Sequence, residues 1–175
     1  MKSSECVVLI GMPGAGKSTI GSRLAGLTGY AFIDTDLVIE AVYGRRLQDI
    51  CDQLSREDFL NVESQIICAL AAAKSVIATG GSVIYRPGTM EHLKRLGSVV
   101  HLSLTLPEIE ERVARNPERG ISFGPGQTLE DLYNERMALY RRHASYECDS
   151  GLLNPEECAK WIIRKLGLPF QPGAA

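Results

Sequence analysis

The chain has 175 residues, 45 % of them hydrophobic, which suits one domain with a full core and is short for two. Its 19 Lys and Arg against 21 Asp and Glu leave a formal net charge of −2, with no basic footprint for nucleic acid or an anionic membrane. No apolar stretch has the length of a membrane span, no signal-peptide core follows Met1, and 5 scattered cysteines lack metal-ligand spacing; a cytoplasmic protein with reduced thiols and no zinc is expected.

The first apolar run, Cys6 to Ile10, reads as a buried parallel strand. It leads straight into Gly11-Met12-Pro13-Gly14-Ala15-Gly16-Lys17-Ser18-Thr19, a complete G-x-x-x-x-G-K-[ST] loop, and a helix is expected over Ser18 to Leu27. Gly11, Gly14 and Gly16 let successive N–H groups curl around phosphate oxygens, and the helix N-terminus adds partial positive charge. Lys17 would reach the outer phosphates and the Ser18 hydroxyl would hold Mg²⁺. A Lys-Ser pair has no structural task in a turn, so the loop predicts binding of a nucleoside triphosphate.

A short second strand, Tyr30 to Ile33, ends in Asp34-Thr35-Asp36. Helices are expected over Leu37 to Tyr43 and Leu47 to Gln53. Ser55 and Asp58 make a capping box for a long amphipathic helix reaching about Lys74. The β-branched strand Ser75 to Thr79 breaks at Gly80-Gly81-Ser82, a short helix covers Thr89 to Leu96, and Ser98 to Leu104 is another buried strand. Pro107 opens a helix to Arg115.

The Gly/Pro-rich stretch 116–127 reads as a mobile loop between two helices. A helix over Leu129 to Arg142, a weak strand over Ala144 to Cys148, and a helix capped by Asn154 and ending near Leu166 complete the alternation. The tail 167–175 has little to hold it and is expected to fray. Alternating strands and helices favour a parallel sheet covered on both faces.

The loop alone does not choose among switches, motors, transporters and kinases. A guanine-selective switch would carry Asn/Thr-Lys-x-Asp, which is absent. The strands ending at Thr79 and Leu104 lack the terminal acidic residue of many ATPases. The acidic pair instead follows strand two, at Asp34 and Asp36, where open α/β sheets bind ligands at their carboxyl edge. That disposition suits transfer of phosphate to a bound acceptor rather than to water. Either aspartate could simply N-cap the helix starting at Leu37.

Six segments narrow the reading: Gly11 to Thr19, Phe32-Ile33-Asp34-Thr35-Asp36, Phe59-x-x-x-Glu63, Ala78-Thr79-Gly80-Gly81, the loop around Arg119, and Glu135-Arg136-Met137-Ala138-Leu139-Tyr140. Through them the chain resembles the shikimate kinase family over nearly its whole length. The resemblance implies an α/β fold, a P-loop three-layer α/β/α sandwich with a five-stranded parallel sheet and a mobile lid at about 116–127, in a single kinase domain spanning 1–175. It implies ATP-dependent, Mg²⁺-supported phosphorylation of a hydroxyl on a small hydroxy acid, with shikimate as default acceptor. A monomer is the default expectation.

Roles follow from the matched positions. Lys17, Asp36 and Arg119 would be catalytic, with Asp36 receiving the acceptor hydroxyl and Arg119 brought by the lid to the transferring phosphate. ATP would meet Gly11, Gly14, Ala15, Gly16, Lys17, Ser18 and Thr19, with Arg112 and Pro155 flanking adenine. Asp34 would support Mg²⁺ beside Ser18. Gly80 and Gly81 would offer backbone N–H groups to the acceptor, and Arg136 would grip its carboxylate. Solvated arginines at 119 and 136, an ordinary turn at Gly80-Gly81, and a simple helix-opening proline at 155 are the plain alternatives.

Departures from the family pattern cluster on the acceptor side. Leu60, followed by Asn61, stands where the family carries a second carboxylate-clamping arginine; Ser82 replaces a third glycine; and Arg119-Gly120-Ile121-Ser122 replaces the family's lid sequence. Two acceptors therefore stay open. One is shikimate, with Arg136 and one of Arg45, Arg46 or Arg56 compensating. The other is a different hydroxy acid such as homoserine, whose ammonium would meet Glu63. An ATP-binding regulatory module without catalysis, or a nucleotide or gluconate kinase, are more distant readings.

Overall fold

The computed structural model describes residues 5–115, 124 and 126–171. Strand β1 (Cys6–Ile10) lies at the centre of a five-stranded, all-parallel sheet. Both its edges are paired and all five of its residues are buried, which is why it reads as a continuous apolar run rather than an alternating one. It pairs on one side with β3 (Ser75–Ala78), which pairs in turn with β2 (Ala31–Asp34). On the other side it pairs with β4 (Gly97–Ser103), followed by β5 (Tyr146–Asp149). The order is β2-β3-β1-β4-β5.

Parallel pairing has one consequence for function. The segments after β1, β2 and β3, namely the P-loop, the Asp34–Asp36 turn and Gly80–Gly81, leave the sheet at the same carboxyl edge. Helices α1 (Lys17–Thr28) and α8 (Pro155–Leu166) pack on one face, while α5 (Pro87–Leu96) and α7 (Leu129–His143) cover the other. Ile20, Leu24 and Ile162 on the first side and Met90, Leu93 and Tyr140 on the second close the core around β1. Helix α6 (Leu106–Arg115) runs from β4 toward the nucleotide edge.

A smaller apolar cluster of Ile39, Ile50 and Phe59 ties together α2 (Thr35–Tyr43), α3 (Leu47–Gln53) and α4 (Arg56–Cys68). It anchors α4 through Phe59 and Val62, which leaves Arg56, Leu60 and Glu63 at i, i+4 and i+7 along another stripe of the same helix.

Several expectations change. Helix α4 stops at Cys68 instead of about Lys74. The chain there must return to the amino edge of the sheet, where Lys74, at φ 47, offers its carbonyl to Ala31 N–H. The Leu70 carbonyl is held by His92. The capping box at Ser55 is half-formed: Asp58 N–H donates to Ser55 Oγ, but the Asp58 carboxylate takes the Ser55 hydroxyl instead of the backbone N–H. A complete box caps α7 at Thr128 and Asp131, and another caps α8 at Asn154 and Glu157. A 3-10 turn, Val83–Tyr85, follows Ser82. In the described part of the tail, 167–171, Leu168 packs on the core and Gln171 N–H donates to Leu27 O at 2.8 Å, while 172–175 lie outside the described residues. No helix among the described residues is long and apolar enough to cross a membrane.

Candidate active site

The P-loop is shaped by its glycines. Gly14 and Gly16 sit at φ 83 and 89, in the left-handed region, and Gly16 is the N-cap of α1. Ala15 is buried at the loop's centre. Lys17 Nζ donates to Gly11 O at 2.8 Å and Met12 O at 2.9 Å, so the lysine lies back across its own loop. A cavity of about 640 Å³ opens beside the loop, lined by Gly14, Gly16, Thr19, Arg112, Ser150 and Pro155. Arg112 spans it, donating to Gly14 O and to Ser150 O at 2.9 Å each. Of the residues expected to meet the nucleotide, Gly14, Gly16, Thr19, Arg112 and Pro155 line this one cavity, while Gly11, Ala15, Lys17 and Ser18 do not. Pro155 is also the first residue of α8, so its plain structural role holds as well.

Ser18 Oγ donates to Asp34 Oδ2 at 2.6 Å. The other oxygen, Asp34 Oδ1, accepts Asp36 N–H at 3.1 Å and so N-caps α2. A hydroxyl and a carboxylate held together beside a phosphate loop form the hard oxygen donor set that Mg²⁺ prefers. No group of three or more His, Cys, Asp or Glu able to hold a metal occurs among the described residues.

Asp36 reaches toward Gly80. A Cβ placed on Gly80 would lie 2.5 Å from Glu63 Oε1 and 2.9 Å from Asp36 Oδ1, and one on Gly81 would lie 2.8 Å from Arg136 Nη1. The missing side chains at these glycines therefore let two carboxyl groups and a guanidinium lie directly against the backbone that follows β3. The Gly80 N–H is already engaged with Thr35 Oγ1 at 3.3 Å, and the Gly81 carbonyl accepts Tyr140 O–H at 2.7 Å.

Glu63 and Arg136 are each 2 % exposed. Burial, reinforced by the neighbouring Asp36 charge, pushes the Glu63 carboxyl up to about 8, against the pull of Ser82 and Arg136. Ser82 Oγ lies 3.0 and 2.9 Å from the two Glu63 oxygens, so the extra side chain at position 82 serves to hold Glu63. Arg136 Nε donates to Tyr85 O–H at 3.2 Å. Leu60 is buried yet belongs to neither apolar cluster. Asn61 accepts from Arg86 instead.

Arg119 and most of the stretch 116–127 lie outside the described residues. Three participants were not singled out by role from the sequence: Thr35, Tyr85 and Tyr140. Tyr140 carries the only available signal, an aromatic one helical turn after Arg136 on α7.

A model of the shikimate kinase family matches residues 13–167. The chain belongs to the shikimate kinase family. It is 36 % identical over 162 residues to the shikimate kinase of Mycobacterium avium (strain 104), covering 91 % of this chain and 92 % of that one. It is 34 % identical over 171 residues to that of Mycobacterium tuberculosis (strain CDC 1551 / Oshkosh), covering 96 % and 97 %. The structure of a shikimate kinase from Acinetobacter baumannii in complex with shikimate superposes with a TM-score of 0.85 at 30 % identity, covering 94 % of each chain. Family membership makes the protein a small-molecule kinase with an alcohol acceptor, on the three-layer P-loop fold that the sequence predicts.

Proposed function

We propose that this family member transfers the γ-phosphoryl group of ATP to a hydroxyl of shikimate, giving shikimate 3-phosphate. The observation that carries the reading is the buried Arg136 guanidinium, walled with Asp36 and Glu63 around Gly80–Gly81 at the same sheet edge as the P-loop. A ring bearing one carboxylate and several hydroxyls fits one buried cation opposite two carboxyl groups. Glu63, the group that would have to meet the ammonium of homoserine, is pushed up to about 8 by burial and the Asp36 charge and is held by Ser82, which favours the hydroxy acid over the amino acid.

In this reading the P-loop backbone and Lys17 hold the phosphates, with Lys17 exchanging its Gly11 and Met12 carbonyl partners for phosphate oxygens. Ser18 and Asp34 would hold Mg²⁺, which neutralises charge on the nucleotide phosphates when bound. Arg112 and Pro155 flank the base. Asp36 accepts the hydrogen bond of the attacking hydroxyl and orients it; positioning outweighs base strength because phosphoryl transfer is loose. Arg119, which lies outside the described residues, would add charge at the transferring group. Incubation with Mg-ATP and shikimate, followed by NMR assignment of the phosphorylated carbon, tests the reading. An ester at C3 supports it; recovery of unchanged shikimate from an enzyme that phosphorylates another acceptor contradicts it.

A further inference from the structure

Arg56 takes no part in the chemistry above, yet it lies against Tyr85, the ring that also meets Arg136. Its Cζ stands 4.9 Å from the centre of the Tyr85 ring, and the Cζ of Arg136 stands 5.5 Å from the same centre. Tyr85 is further fixed by the Arg136 Nε–H bond to its hydroxyl. Two guanidinium groups thus share one aromatic ring, which fixes both cations relative to Tyr85.

Neither cation is well neutralised among the described residues. Arg56 reaches Glu135 only at 3.9 Å, and that carboxylate already accepts Gln127 Nε2–H at 2.7 Å. Arg136 is buried against a tyrosine hydroxyl, and burial pushes the nearby Glu63 carboxyl toward its neutral form. A buried guanidinium is stable when an anion meets its planar fork, and a carboxylate does so with two parallel hydrogen bonds. Arg56 lies one helical turn before Leu60 on the stripe that also carries Glu63. Arg45 and Arg46 are exposed, with Arg45 bound to Gln53.

We propose that Arg56 is the second guanidinium of the acceptor-carboxylate site, held beside Arg136 by the ring of Tyr85. The inference rests on the shikimate reading and adds a specificity-determining residue to it. Leu60 provides no charge, and the arginine arrives from the preceding turn of α4.

The test compares shikimate with its analogue in which the carboxylate is reduced to a hydroxymethyl group, in the wild-type protein, Arg56→Ala and Arg56→Lys. Arg56→Ala is expected to raise KM for shikimate roughly 10- to 100-fold, the loss of a charge-assisted hydrogen bond, with KM for ATP unchanged. Its KM for the reduced analogue should hardly move, so discrimination between the two acceptors collapses; Arg56→Lys should restore part of it. Arg56 opens α4 and is half-exposed, so the fold should survive, with unchanged thermal melting and ATP KM as controls. Wild-type discrimination retained in Arg56→Ala overturns the role of Arg56 and leaves the shikimate reading standing. A wild-type protein inert to shikimate overturns both.

Discussion

Ser18 Oγ and Asp34 Oδ2 are 2.6 Å apart, and the second oxygen of the same carboxylate caps α2 through Asp36 N–H. One side chain therefore joins the P-loop helix to the acceptor-side helix. The two tasks separate by mutation. Asn caps a helix about as well as Asp, so Asp34→Asn should stay within about 0.5 kcal/mol of wild-type stability while its demand for Mg²⁺ rises and kcat falls. Asp34→Ala should lose about 1 kcal/mol of stability as well. Equal stability losses in both variants would show that the cap is not what Asp34 provides.

Lys17 holds two loop carbonyls before any phosphate arrives. Lys17→Met should lower kcat by about 10²- to 10³-fold, the usual cost of removing one electrostatic donor from a transition state. Gly11 and Met12 are buried, so their carbonyls lose a donor and stability should fall by about 1–3 kcal/mol with the fold kept. Turnover near the wild-type rate would remove Lys17 from the chemistry.

Glu63 gives the ligand-free protein a pH dependence of definite sign. Its carboxyl is raised by burial, then by Asp36, from 4.5 to about 8. Between those values the native state binds a proton that the unfolded chain has released, so stability falls as pH rises, by up to about 1.4 kcal/mol per pH unit from this group. Chemical denaturation across that window should show the slope in the wild-type protein and its loss in Glu63→Gln. Parallel profiles for the two would mean that Glu63 is ionised in the native state.

His101 has the opposite sign. It is fully buried on β4, stacked on Tyr140 with ring centroids 5.0 Å apart, and both ring nitrogens lack hydrogen-bond partners among the described residues. Burial lowers it to about 4 despite the Glu147 carboxylate 3.8 Å away. Its contribution is complete above the ordinary histidine value of 6.5 and is lost as pH falls toward 4. His101→Phe should raise stability at pH 7 by roughly 1 kcal/mol, by removing two unsatisfied polar atoms, and should flatten the acid limb. A less stable variant would reveal a bond made by the imidazole.

The sheet was legible because β1, β3 and β4 are buried on both faces and so appear as uninterrupted apolar runs. The P-loop itself was legible because it concentrates its backbone donors within nine consecutive residues. The acceptor side was less so. Its walls come from α4, the turn after β3 and α7, which meet only through tertiary packing, and no local pattern announces that Ser82 will bind Glu63 or that Tyr85 will carry two arginines. The same limit explains the early end of α4, where helix-favouring residues 69–73 yield to the demands of sheet pairing.

The central claim is that the acceptor is shikimate in spite of Leu60. It is tested most directly by ADP release with Mg-ATP and shikimate or homoserine side by side. The account predicts saturable turnover with shikimate and only background hydrolysis with homoserine. Efficient turnover of homoserine with shikimate inert would contradict it, and would mean that Leu60 and Ser82 had redirected an otherwise unaltered phosphoryl-transfer site.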